Sequence, residues 1–241
     1  MRHLSTNRVG LPNMPKRNTI AIKAAKIYDQ FIYENTALPY GLKSLEVIAG
    51  IQDTYRLLHQ INKFLVNQGL DRLEDLLLGN SLSGLISEVL VKSISNNSKT
   101  MVRNEKIGGH PDLIPRGKYP NNEALKADEG VEIKSSLQHG GWQGHNPENV
   151  WLLVFRYTVD TDKTRKMKNR APITFVQVLA ADIKKADWQF SGRKGDSRRT
   201  PTASVIKTGM EKLRRNPVYQ DPNFVVGDKK LRSVYLSIPH K

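Results

Sequence analysis

IGGHPDLIPRGKYPNNEALKADEGVEIKSS, residues Ile107 to Ser136, sets Asp112 twenty residues ahead of the triplet Glu132-Ile133-Lys134. Val131 to Lys134 reads as a short strand, and side chains two apart on a strand share a face, so Glu132 and Lys134 project together. A strand rising from Asp112, a turn at Pro120-Asn121-Asn122 and a return at Val131 would bring Asp112 beside them. Asp128 and Glu129 read as acids lining the turn.

Working outward, the texture of the chain changes at Asn97. Before it the pattern is helical. Ala21, Ala24, Ala25, Ile27, Tyr28, Phe31 and Ile32 recur at helical spacing, and Leu45, Val47, Ile48, Ile51, Tyr55, Leu58, Ile61, Leu65 and Val66 form a longer amphipathic run. Leu73, Leu76, Leu77 and Leu78 make a short third piece, and Ser81 is placed to cap a fourth helix carrying Leu82, Leu85, Ile86, Val89 and Leu90. These stripes read as packing surfaces. After Asn97 come strand signals at 150–159 (VWLLVFRYTV, the strongest, expected central in a sheet), 173–179 and 231–238. The segment DTDKTRKMKNRAP between the first two reads as an exposed hairpin loop. Thr200-Pro201 is expected to start a helix over 203–214. The expected fold class is α+β with an α/β-type core: a flexible basic arm (1–18), a helical region (19–97) serving dimerisation or DNA wrapping, and a catalytic and recognition core (98–241) continuous with it.

Composition narrows the function classes. The 241 residues hold 38 Lys and Arg against 23 Asp and Glu, a formal net charge of +15, which points to a polyanion and to nucleic acid first. There is no cysteine, so disulfides, thiolate metal sites and a cysteine nucleophile are excluded. No apolar window is long enough to span a bilayer, and the basic N-terminus lacks the apolar run of a secretory signal, so the expected location is cytoplasmic, with no membrane partner.

The trio Asp112, Glu132 and Lys134 suits phosphodiester hydrolysis. Two carboxylates on adjacent strands make an all-oxygen site for Mg²⁺, one or two ions, with the Ile133 backbone carbonyl as a further donor. A neighbouring lysine orients or deprotonates water and offsets transition-state charge. Pro111-Asp112 followed by Glu132-Ile133-Lys134, with the apolar central residue in a strand context, resembles the PD-(D/E)XK nuclease superfamily over roughly residues 81–179. The resemblance implies a mixed β-sheet of the restriction-endonuclease-like fold flanked by helices. It also implies Asp112 and Glu132 as metal carboxylates, Lys134 as the catalytic lysine, and Glu88, from a helix before the first core strand, as an added acidic ligand.

Donor-rich and basic runs complete the reading. Gln138, His139, Trp142, Gln143, His145 and Asn146 occupy a glycine-rich loop directly after the triplet, able to meet base edges or phosphates. His110, His139 and His145 offer zinc as an alternative, disfavoured by irregular spacing and absent cysteine. Lys166 and Lys168 lie in one basic run; Arg193, Lys194, Arg198 and Arg199 lie in another, and the N-terminal arm adds Arg2, Arg8, Lys16 and Arg17 for backbone contact. The expectation is a Mg²⁺-dependent, sequence-specific endonuclease of type II restriction type, acting on double-stranded DNA as a homodimer, with a companion DNA methyltransferase in its host that is not a physical partner. A structure-specific repair or junction nuclease, or a non-catalytic basic DNA-binding protein, is the alternative.

Overall fold

Helix α1 (Ser44–Asn67) forms where the longer amphipathic run stands, burying Val47, Ile48, Ile51, Tyr55, Leu58 and Val66 along one stripe. The protein is described by a computed structural model covering residues 20–144, 146–192 and 202–224. A single turn, α2 (Leu73–Leu76), leads into α3 (Gly79–Asn97), whose Leu82, Ile86, Leu90 and Ile94 are buried. The two long helices pack closely: a Cβ at Gly50 would stand 2.6 Å from the Ile94 side chain. Helix α3 begins at Gly79, so Ser81 lies within its first turn and is not its cap.

A six-stranded mixed sheet follows. Its order is β1 (Met101–Arg103), β2 (Leu113–Pro115), β3 (Val131–Ser136), then β5 (Val150–Thr158), β6 (Thr174–Ile183) and β9 (Pro217–Gln220). Neighbours run antiparallel except β3 and β5, which are parallel. A smaller sheet of β4 (Gln143–Gly144), β8 (Ala203–Val205) and β7 (Trp188–Phe190) packs with helix α4 (Lys207–Arg214). The molecule is thus α+β, with a mixed sheet and several helices.

Burial on both faces explains the apolar run of β5. Leu153, Phe155 and Tyr157 join α1 and α3 in one core, while Val150, Leu152 and Val154 join Trp188, Val205 and Leu213 in a second. Helices and sheet therefore share a continuous interior. On α3, Ser87 Oγ accepts from Ser135 N–H at 3.1 Å and Ser83 O accepts from Ser135 Oγ at 2.6 Å, which docks the helix onto β3.

Three further expectations need correction. Residues 20–32 are not helical: apart from a 3-10 turn at Asp29–Phe31 they run without regular structure along the core, with Ala25, Ile27, Phe31 and Ile32 packed on it. Ile20 N–H is taken by Asn67 Oδ1, Ile32 bridges to Tyr219 and Tyr33 N–H goes to Val218 O, so long-range partners replace the helical ones. Ala203 to Val205 is a strand, paired on both sides with β4 and β7, and the helix begins only at Lys207. The loop between β5 and β6 is not wholly exposed: Arg170 is buried and forms a fork on the Asp75 carboxylate at 2.7 and 2.8 Å. The N-terminal arm with Arg2, Arg8, Lys16 and Arg17, His145, the basic residues Arg193, Lys194, Arg198 and Arg199, the Thr200-Pro201 helix start and the expected strand 231–238 lie outside the described residues.

Candidate active site

Strands β2 and β3 pair with Leu113 against Val131, and that register carried one residue further sets Asp112 opposite Glu132. The next pair would be Pro111 with Ile133. Proline has no N–H to give, so the ladder opens there. Asp112 fills the gap: its Oδ2 accepts from Ile133 N–H at 2.7 Å. The Ile133 carbonyl on that same edge is left without a ladder donor from position 111. A side chain at residue 130 would collide with this corner, since a Cβ there would lie 2.4 Å from Leu113 O and from the Pro111 ring; the residue is Gly130, at φ +157°.

Asn104 fixes the approach to Asp112. It is buried, its side-chain amide donates to Pro111 O at 3.1 Å and Ala124 O at 2.8 Å, and its N–H donates to Asp112 O at 2.9 Å. The loop carrying His110 and Asp112 is thereby tied to the strand end below it.

Glu132 is held from two sides. Lys134 Nζ donates to its Oε1 at 2.5 Å, and His110 Nδ1 lies 3.0 Å from its Oε2. His110 Nε2 lies in turn 2.7 Å from Glu148 Oε2, just before β5. A ring with a carboxylate at each nitrogen donates from both when protonated.

The charges respond to this crowding. Burial and then the facing Glu132 charge push Asp112 from an ordinary 3.8 to about 7, against the Ile133 N–H and the cations Lys134 and His110. Burial works the same way on Glu132, but the His110 hydrogen bond and the Lys134 ammonium override it and bring Glu132 down to about 2. Burial opposes charge on Lys134, yet Glu132, Asp112 and Glu148 raise its pKa. Burial likewise opposes charge on His110, and Glu132, Glu148 and Asp112 outweigh it, again raising the pKa. The cluster therefore interleaves Lys134 and His110 with the carboxylates Asp112, Glu132 and Glu148, and Asp112 is the one under pressure to stay protonated.

The other sequence-picked residues are dispersed. Glu88 pairs with Arg103 at 2.9 Å and its side chain is 68% exposed, with no hydrogen bond to the trio. Gln138, Gln143 and Asn146 are exposed, as are Lys166 and Lys168. Trp142 corrects the expectation of a DNA-contacting aromatic in this loop: it is 3% exposed in the second core, and its ring N–H is spent on Gln138 O at 3.2 Å. His139 sits beside Arg156, with Nδ1 3.0 Å from its Nη2, rather than beside His110. Among the described residues no group of three or more His, Asp or Glu side chains is arranged to hold a metal ion, so the side-chain ligand set of the pair Asp112 and Glu132 stands at two carboxylates.

Glu148 was not legible in the sequence, because nothing in its spacing ties it to the triplet. His110 was visible only as a possible zinc ligand, although its place directly before Pro111-Asp112 marks it as a neighbour of the carboxylates. Among the described residues no helix is long and apolar enough to cross a membrane. The chain matches no protein-family model and no curated protein sequence.

Proposed function

We propose that this chain is a Mg²⁺-dependent endonuclease that hydrolyses phosphodiester bonds in double-stranded DNA at specific sites, in the manner of a type II restriction enzyme. The observation that carries the reading is the cross-strand pair Asp112 and Glu132 with Lys134 on the face of Glu132, in a chain of net charge +15. A mixed sheet in which β3 has an antiparallel neighbour on one side and a parallel one on the other is compatible with the restriction-endonuclease-like core.

The donors fit a hard cation. Two carboxylates that raise each other's cost of ionising gain from a divalent ion between them, and the Ile133 carbonyl adds a neutral oxygen. Asp112, Glu132 and the Ile133 carbonyl would hold it. A divalent ion held there would supply acidification of a water and neutralisation of the charge that develops on the phosphate oxygens.

The chain's own groups do the rest. Lys134, whose pKa is raised, stays an ammonium; it donates to and orients the attacking water and offsets transition-state charge, and it is not the base. The water oxygen bonds to phosphorus in line as the opposite P–O ester bond breaks; the water's proton passes to bulk solvent, and the leaving oxygen takes a proton up from solvent. His110 fixes the rotamer of Glu132, and Glu148 fixes His110. A palindromic site cut on both strands calls for a homodimer working in the cytoplasm. The chain outside the strands that bear the site supports recognition before cleavage.

Incubation with unmethylated phage DNA, with Mg²⁺ or with EDTA, alongside Lys134→Ala and Asp112→Ala, tests the reading. Discrete bands only with Mg²⁺ and only for the wild type are expected. A smear supports a nuclease that reads structure, and DNA that is shifted but never cut supports a non-catalytic binder. An active, folded Asp112→Ala protein sinks the site.

A further inference from the structure

Arg156 is a charged side chain buried, among the described residues, without an opposite charge beside it. It lies on β5, is 4% exposed, and its Nε has no hydrogen-bond partner. Its Nη1 donates to Gln177 Oε1 and its Nη2 to His139 Nδ1 at 3.0 Å. Gln177 in turn donates to Gln220 Oε1 at 2.8 Å. These partners are neutral amides and a ring nitrogen. Among the described residues the charged group that bears on Arg156 is Arg214, another cation, and burial with this repulsion lowers its pKa to about 10. A buried charge is normally paired, and leaving one unpaired is costly. Among the described residues two cations meet here with no carboxylate between them, the inverse of an ion pair.

The position of Arg156 says which anion. Ser136, two residues beyond Lys134 on β3, pairs with Arg156 on β5, so by ordinary strand spacings Arg156 lies about 8 Å from Lys134. Glu132, Lys134, Ser136, Leu152, Val154 and Arg156 alternate onto one face of the sheet. A β-bulge falls directly after Arg156 in its pairing with β6, a device that re-aims a side chain beside a site. A strand of nucleic acid whose scissile phosphate sits at Asp112 and Glu132 would carry a neighbouring phosphate toward this place.

We propose that Arg156, with Arg214 beside it and Gln177 and His139 holding its guanidinium, binds a backbone phosphate next to the scissile one. The assignment to nucleic acid rests on the endonuclease reading; the anion site itself does not.

The test uses the full chain and two probes. The first is inorganic phosphate against chloride at equal ionic strength, read by thermal melting of wild type, Arg156→Gln and Arg156→Met. Phosphate is expected to raise the wild-type midpoint and to leave both variants unmoved, and the variants are expected to melt no lower than wild type in chloride, because an unpaired buried charge has been removed. The second probe is a labelled DNA duplex in EDTA, where no cleavage occurs. Arg156→Gln is expected to bind about tenfold more weakly, with a log–log salt slope shallower by about 0.9. If the Arg156 variants fail to fold, Arg214→Gln, at an exposed position, carries the same two measurements. Variants that keep the full phosphate response overturn the proposal, as does a wild type with no response whose duplex affinity the substitution leaves unchanged. A phosphate response in a wild type that binds no duplex keeps the anion site and removes the nucleic-acid reading.

Discussion

Burial, and then the like charge of Glu132 set opposite it, raise the pKa of Asp112. An acid whose folded-state pKa lies above its unfolded value contributes stability that is fully present below the unfolded pKa and lost as pH rises through the folded one. For Asp112 the window runs from about 4 to about 7. Metal-free protein should therefore lose stability across that window, by at most about 1.4 kcal/mol per pH unit from this group, and Asp112→Asn should flatten the loss. Denaturant midpoints of both proteins at pH 5 and 7.5 in EDTA decide it; parallel slopes would mean that Asp112 ionises freely. His110 offers a second expectation. Under the proposed endonuclease reading it orients Glu132, so His110→Ala should raise the Mg²⁺ concentration for half-maximal cleavage roughly 10- to 100-fold; an unchanged Mg²⁺ titration would leave the ring no positioning role. At this scale the sequence disclosed what spacing can disclose. Asp112, Glu132 and Lys134 share a local strand–turn–strand, whereas Glu148 reaches His110 only because β5 lies beside β3 in the sheet. Long-range adjacency of that kind leaves no pattern in one chain.

Elements here are held by a few buried corners. Gly130 is one. A methyl group there must enter both Leu113 O and the Pro111 ring, neither of which is a flexible side-chain tip, at a φ that side-chain-bearing residues rarely adopt. Gly130→Ala should cost about 1–3 kcal/mol and, because β2 and β3 must part, should reduce cleavage as well. Urea unfolding beside an activity assay checks both, and a fully stable, fully active variant would show that the corner yields. The β5–β6 loop is another. Arg170 and Asp75 are both almost wholly buried, so Arg170→Ala strands a carboxylate and should destabilise by roughly 3–5 kcal/mol. A loss under 1 kcal/mol by the same urea measurement would show that Asp75 finds solvent. The sequence misled in this loop because eight other charged or polar residues mask the inward Asp160 and Arg170. It misled at residues 20–32 for a related reason. The helical spacing of Ala21 to Ile32 is real, but a short run with alanine at three of its seven apolar positions gives little packing to hold a helix, and Asn67, Tyr219 and Val218 supply the backbone contacts instead. The runs of α1 and β5, rich in large aliphatic residues, had no such competition.

The whole molecule joins a shared core to a large positive charge. Its helices and strands interlock around Phe155, Tyr157 and Phe175, so the site stands on a scaffold rather than on a mobile loop. The charge has a different logic, since +15 does nothing to help a chain fold and repels itself. Some of it is spent internally: Arg72 pairs with Glu74, Arg170 with Asp75, Lys212 with Asp187. Lys166 and Lys168 remain exposed on the surface. If surface lysines and arginines meet a DNA backbone, each contact releases a counterion, and the logarithm of affinity falls against the logarithm of salt with a slope of about −0.9 per contact. Six contacts would give a slope near −5 and lower the affinity by about 10³ between 50 and 200 mM salt. Anisotropy titrations of a labelled duplex in EDTA over that range measure it directly. A steep line ties the charge to the phosphate backbone and leaves discrimination between sites to base contacts, since backbone contacts carry no sequence information. A flat line with intact cleavage would detach the charge from the substrate: the two carboxylates and Lys134 would then have to capture DNA through the site alone.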